Sequence, residues 1–298
     1  MPASPPAASD PTPREPTPVP ATPEPASAPA HAPDRRVTAW RWWNRGLYWL
    51  YERRLLAQVR SGPVPKHLGI IMDGNRRFAR ALGLDAKAGH DYGAGKARDV
   101  LAWCLDLGIQ HVTLWGFSTD NRGRDPDEVA HLHRLFAAQA REFLADTELH
   151  RNQVRVRVIG DIDDFPEDSK AALRAMEAAT AGYDRLHLHV ALGYGGREEI
   201  VAAVRAALRA HADAGEDLAT AAETLDAADI GRHLYTAGVP DPDFVVRTSG
   251  EVRSSGFLLW QSAYAEFYFC DAYWPEFRRI DFLRALRSFQ QRQRRFGR

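Results

Sequence analysis

Along most of the chain, short apolar and partly β-branched runs alternate with longer stretches in which apolar positions recur every three or four residues. The runs HLGIIMD (67–73), HVTLWGF (111–117), VRVRVIGD (154–161), LHLHVALG (186–193), DFVVRTSG (243–250) and AEFYFCD (265–271) are predicted as strands. The helical period covers about 93–107, 126–149, 169–181, 197–214 and 281–295. Strands that alternate with helices bury a sheet on both faces. The expected fold is therefore a single α/β domain over 63–298, with a central, mostly parallel, six-stranded sheet flanked by helices. In such a sheet ligands gather outside the carboxyl ends of the strands, so the polar residues that follow each strand carry the chemistry.

The alternation is absent from the first part of the chain. Residues 1–37 are rich in Pro and Ala and offer too little apolar surface to offset the entropy of ordering, so a disordered tail is expected. Residues 38–62 read as an amphipathic helix carrying Trp40, Trp42, Trp43, Tyr48, Trp49 and Tyr51 among arginines. Two readings compete for it: an aromatic face packed on the domain, or an interfacial helix in peripheral contact with a membrane. No basic and apolar leader and no run long enough to span a bilayer is present, so a cytoplasmic protein is expected. Two cysteines, Cys104 and Cys270, are too few for a disulfide framework. The 39 basic and 39 acidic residues cancel, so no global field draws nucleic acid, and any anion site must be built from locally placed arginines.

Three strand ends supply such arginines. After the first strand, Asp73-Gly74-Asn75-Arg76-Arg77 offers a carboxylate, flexible backbone and two guanidiniums, the set a metal-bound diphosphate requires. Taken alone, the same run reads first as a plain surface turn. The second strand ends in Ser118-Thr119-Asp120-Asn121-Arg122-Gly123-Arg124, where Asp125 or Asp127 caps the next helix but Arg122 and Arg124 are left without a local role. The fifth strand places Arg247 and Arg253 beside Ser254 and Ser255 in a second anion cradle. Glu266 opens the last strand within an aromatic segment and needs a cation or donor if buried. Nucleotide motifs fail: His90 stands at the first glycine of a P-loop reading that would end at Gly95-Lys96-Ala97, and Glu198 replaces the last glycine of a dinucleotide fingerprint.

Taken in order, HLGIIMDGNRRFAR, the Gly89-His90 pair, LWGFSTDNRGR, ALGYGGREEI and PDPDFVVRTSGEVRSSGFLLWQSAYAEFYFCDAYWPEF closely resemble the cis-prenyltransferase family, which includes undecaprenyl diphosphate synthases. The resemblance runs from about Pro65 to the C-terminus, and the DDxxD motif of the all-helical trans-prenyl synthases is absent. It implies Mg²⁺-dependent condensation of isopentenyl diphosphate with an allylic diphosphate such as geranyl or farnesyl diphosphate. A cis double bond forms and a hydrophobic tunnel houses the product. It further implies that Asp73 binds Mg²⁺, that Gly74, Asn75, Arg76, Arg77, Phe78 and His90 surround the primer diphosphate, that Ser118, Thr119, Asp120, Arg122 and Arg124 bind substrate, and that Asn121, with Ser118 nearby, assists proton removal. Arg247, Arg253, Ser254 and Ser255 would hold isopentenyl diphosphate, and Glu266 would complete the metal site at or near the partner subunit of a homodimer.

The chain departs from the family pattern at Arg76, Phe78, Arg122 and Val252, where Gly, Trp, Trp and Gln are usual, and at Ala86, where Arg is frequent and Lys87 lies adjacent. The Arg76-Arg77 pair and the stretch 124–128 look more like short-chain actinobacterial members that make Z,E-farnesyl diphosphate, whereas the small Gly116 leaves room for a longer product. The same fold also hosts irregular coupling or cyclising enzymes and non-catalytic partner subunits, which are the alternatives to chain elongation.

Overall fold

A computed structural model describes residues 35–292, with side chains from Tyr48 onward. The expected tail lies, up to residue 34, outside the described residues, as do the side chains of Trp40, Trp42 and Trp43. The residues from Tyr48 onward belong to one compact unit. Helix α1 spans Arg35–Arg60, starting before the expected boundary. From Tyr48 onward its two faces differ, for Leu55 and Val59 are buried in the main core while Tyr48, Trp49 and Leu50 are exposed.

Six strands follow in chain order: β1 His67–Ile71, β2 His111–Trp115, β3 Val154–Ile159, β4 Leu186–Ala191, β5 Phe244–Arg247 and β6 Glu266–Phe269. They make one sheet in the order β3-β4-β2-β1-β5-β6, and every pair is parallel. Between them run α2 Asn75–Ala81, α3 Ala86–Leu107, α4 Pro126–Ala145, α5 Thr147–Arg151, α6 Glu167–Thr180, α7 Gly196–Asp213, α8 Leu218–Thr224 and α9 Ala227–His233, with α10 Arg279–Gln291 closing the fold. The sequence pattern anticipates the strands and long helices but not α2, whose first residues read as a turn, nor α8 and α9. The stretch 126–149 is two helices because the Asp146 side chain accepts from the Glu148 and Leu149 amides and starts a new one.

Alternation along the strands divides the core into two layers. Leu68, Ile70, Val112, Leu114, Val156, Leu188 and Val246 face a large cluster, while Ile71, Ala191 and Val245 face a smaller one with Tyr194, Phe257 and Leu258. From β1 the chain runs to β2, β3 and β4 on one side of it and then returns to β5 and β6 on the other. That reversal opens a crevice at the carboxyl ends of β1, β2 and β5.

Candidate active site

The carboxyl end of β1 delivers Asp73 into the crevice. Its backbone is fixed from β5: the Asp73 amide donates to Thr248 Oγ1 at 3.0 Å, and the Thr248 hydroxyl donates to the Asp73 carbonyl at 2.6 Å. The next residue has φ +107°, where a Cβ would lie 2.9 Å from Tyr273 Cδ1, so Gly74 is the residue that permits the turn into α2. Helix α3 reaches α2 through two further glycines. A Cβ on Gly89 or Gly93 would come within 2.2 or 2.3 Å of Asn75 oxygens, so their absence of side chain brings His90 beside Asn75.

These residues line a polar cavity formed by Met72, Asp73, Gly74, Asn75, Arg76, Arg77, Arg80, His90 and Arg124. Four arginines against one acid make it an anion site. Met72, Asn75 and His90 also line the mouth of an apolar cavity that extends between α3, α4, α6 and strands β2–β4, past Gly116, Phe136 and Leu188 to Leu149 and Met176. A charged pocket thus opens directly onto a deep hydrocarbon-lined space.

The second predicted cradle is contiguous with the first. Arg247, 4% exposed at the end of β5, donates to Asp73 Oδ2 at 2.7 Å, to Ser255 Oγ at 2.7 Å and to the Arg253 carbonyl at 2.6 Å. Arg77 donates to Asp73 Oδ1 at 3.2 Å, to Ser249 Oγ at 2.6 Å and to Glu251 at 3.0 Å, and Glu251 also pairs with Arg253. Asp73 and Glu251 therefore join the two cradles. Burial opposes ionisation of Asp73, but Arg247 and Arg77 outweigh it and hold its carboxyl below the usual carboxylate range. Ser249 (φ +79°) and Ser255 (φ +51°) both adopt left-handed backbone, costly for serine, and both hold an arginine of the site.

At the end of β2, Ser118 and Asn121 form a reciprocal capping box over the 3-10 turn Thr119–Gly123, with Asn121 Oδ1 accepting from the Ser118 amide at 3.1 Å. Asp120 on this turn is exposed, and Thr119 Oγ1 lies against Gly195. Arg124 reaches the polar cavity, whereas Arg122 does not line it. Its guanidinium is held by Asp161 and Asp164 in the β3–α6 loop, because two carboxylates there outcompete the already cationic pocket. Phe78 packs edge-on to Tyr92, 5.6 Å between centroids, also away from the pocket lining. Ser254 is half-buried in the same turn as Ser255. Glu266 opens β6 opposite Phe244, three residues before the position paired with Arg247, and pairs instead with Arg292 at 2.6 Å. Within one chain it is not brought to Asp73.

Four contributors escape sequence reasoning. Arg80 lies one turn beyond Arg76 and Arg77, a spacing legible only once α2 is known to be a helix. Ser249 and Glu251 sit in the quoted motif but gain their meaning from Arg77, more than 170 residues away. Glu128 resembles any helix-start acid and is instead buried behind the pocket, accepting from His90 and Arg124.

Comparison with known proteins decides what this arrangement belongs to. Residues 71–297 match the family model described as putative undecaprenyl diphosphate synthase. The chain belongs to this family of cis-prenyltransferases. An isoprenyl transferase of Deinococcus radiodurans is 57% identical over 252 residues, covering 84% of this chain and 92% of that one. A tritrans,polycis-undecaprenyl-diphosphate synthase (geranylgeranyl-diphosphate specific) of Methanopyrus kandleri is 47% identical over 255 residues, covering 85% and 92%. The crystal structure of lavandulyl diphosphate synthase from Lavandula x intermedia, in complex with dimethylallyl diphosphate, superposes with a TM-score of 0.72 at 32% identity, covering 79% of this chain and 99% of that one. The chain is accordingly an enzyme of the isoprenyl transferase type, built on the expected single α/β domain.

Proposed function

We propose that the enzyme condenses isopentenyl diphosphate with an allylic diphosphate in the cis sense and elongates the product into the apolar cavity. The observation that carries this reading is the joint between two arginine-lined cradles at Asp73, beside the mouth of the apolar cavity. One cradle takes the allylic diphosphate, whose tail runs past Met72 and Asn75 into the cavity. The other, built on Arg247, Arg253 and Ser255, takes isopentenyl diphosphate.

Breaking the allylic C1–O bond puts the electron pair on the leaving diphosphate, and the C4 end of isopentenyl diphosphate bonds to the allylic C1. A C2 proton is then lost to give the new double bond. Positive groups fixed in advance stabilise the leaving group as its charge develops, and here Arg76, Arg77, Arg80 and Arg124 supply them, while burial lowers the His90 pKa and favours its neutral ring. Asn121, at the end of β2 with Oδ1 committed to the Ser118 amide and its side chain thereby held in one orientation, is assigned to proton removal.

Among the described residues no group of three or more His, Cys, Asp or Glu is arranged to hold a metal. The donor set nevertheless fits Mg²⁺, which is commonly bound by one or two carboxylates with phosphate and water completing the shell, and Asp73 is one ionised carboxylate in a phosphate-sized pocket. Bound there, the ion would supply charge to the departing diphosphate. A role for Glu266 requires a second copy of the chain, which the half-buried edge strand β6 and the 90% exposed Tyr264 support as a homodimer.

The exposed Tyr48, Trp49 and Leu50, with Arg53 stacked 4.7 Å over Trp49, favour the interfacial reading of this part of α1 as a peripheral membrane contact, while Leu55 and Val59 anchor it to the core. Incubation with labelled isopentenyl diphosphate and geranyl, farnesyl or geranylgeranyl diphosphate, followed by sizing of the dephosphorylated products, tests the reaction. A ladder of products differing by five carbons is expected. Coupling of two dimethylallyl units, or no incorporation in the presence of Mg²⁺, would overturn it.

A further inference from the structure

We propose that Glu128 is the positioning residue of the primer pocket, a buried carboxylate that gathers His90, Arg124 and Arg76 behind the pocket wall without touching the ligand. The inference rests on the condensation reading above. Glu128 sits in the first turn of α4 and is 6% exposed. Its Oε1 accepts from His90 Nε2 at 3.1 Å and from Arg124 Nη1 at 3.0 Å, with Arg76 Nε at 3.8 Å. These three partners come from α3, from the turn before α4 and from α2, and all three line the polar cavity, whereas Glu128 does not.

A carboxylate at a helix start ordinarily serves the helix. Here that duty is already performed: the Asp125 side chain accepts from the Asp127 and Glu128 amides. Burial works against a charge at Glu128, and His90, Arg124 and Arg76 outweigh it and keep the carboxyl below its usual range. What the fold obtains for that desolvation is alignment. The Arg124 and Arg76 guanidiniums would repel each other if packed alone, and one shared acceptor holds them and the His90 ring at a common point. Losing it should therefore weaken diphosphate binding at the primer pocket and leave the Arg247 cradle, which Glu128 does not touch, unaffected.

The experiment measures calorimetric binding of the thiolodiphosphate analogue of farnesyl diphosphate, which resists ionisation, to the wild type and to Glu128→Gln, together with steady-state KM for both substrates. Loss of a charge-assisted contact predicts about tenfold weaker analogue binding and a similar rise in allylic KM, with KM for isopentenyl diphosphate within about twofold of wild type. In a His90→Asn background the same substitution should cost about threefold less, since the two residues act through one contact. Should Glu128→Gln fail to fold, Glu128→Asp, which keeps the charge but withdraws it from His90, should show a smaller loss with the same selectivity. Unchanged analogue binding, or an equal rise of both KM values, overturns the positioning role. A wild type that binds the analogue but forms no condensation product overturns the reaction instead and leaves the binding comparison intact.

Discussion

Asp73 and Arg247 link the two cradles, and each governs a different quantity. Arg247 is buried with its guanidinium on Asp73, Ser255 and a backbone carbonyl. Truncating it removes a charged donor worth about 1.5–3 kcal/mol from the isopentenyl diphosphate cradle. Arg247→Ala is therefore expected to raise KM for isopentenyl diphosphate by about 10- to 100-fold, measured by varying that substrate at saturating primer. Asp73→Ala should abolish turnover while the chain still folds, as circular dichroism would show; normal turnover would remove Asp73 from the metal site. Asn121 and Arg122 are neighbours with opposite fates, one facing the end of β2 and the other committed to Asp161 and Asp164. Arg122→Ala should accordingly change stability of the β3–α6 loop more than either KM.

At the scale of elements, the site exists because α2 and α3 approach β1 and because α3, α4 and α6 stand off the sheet far enough to leave a cavity. Gly116 follows β2 at the wall of that cavity, where a Cβ would already meet Leu192 at 3.1 Å and Phe136 at 3.5 Å. A leucine there would fill space that the growing tail needs. Gly116→Leu is expected to shift the product distribution toward shorter chains with little change in the first condensation, read by chromatography of dephosphorylated products. An unchanged distribution would show that the tail does not pass Gly116.

For the whole molecule, the end of the sheet opposite the crevice carries a row of histidines. His67, His111 and His187 stand side by side at the amino ends of β1, β2 and β4, with His189 one pleat further. His67 is fixed by the Pro240 carbonyl at 2.6 Å and Thr113 Oγ1 at 2.8 Å, whereas neither buried nitrogen of His189 has a hydrogen-bond partner. Burial, reinforced by neighbouring histidines, pushes His67 down to about 4 and His189 down to about 3. Above the unfolded histidine range of about 6.5 these groups are neutral in both states and stability is complete. As pH falls from there toward 4 and 3, the unfolded chain takes up protons that the folded chain refuses, and stability declines. The urea midpoint should therefore drop between about pH 7 and pH 5, and His189→Leu should flatten that drop. Equal slopes for the two proteins would contradict it.

The sequence by itself determined the α/β class, the six strands and the placing of Asp73, Asn121 and Arg247 at strand ends, because strand and helix periods are local properties of burial. It also carried the family, since the motifs are contiguous. It misread α2 as a turn, because Gly74 at φ +107° makes the first residues look like a loop and the helix is only seven residues long. Tertiary structure alone settles that Asp73 joins the two cradles, that Arg122 turns away, that Glu266 pairs with Arg292, and that Glu128 stands behind the pocket. Each of these depends on which distant charge reaches a given side chain first. Parallel strand order and glycine-permitted helix approach settle that, and neither is written in local spacing.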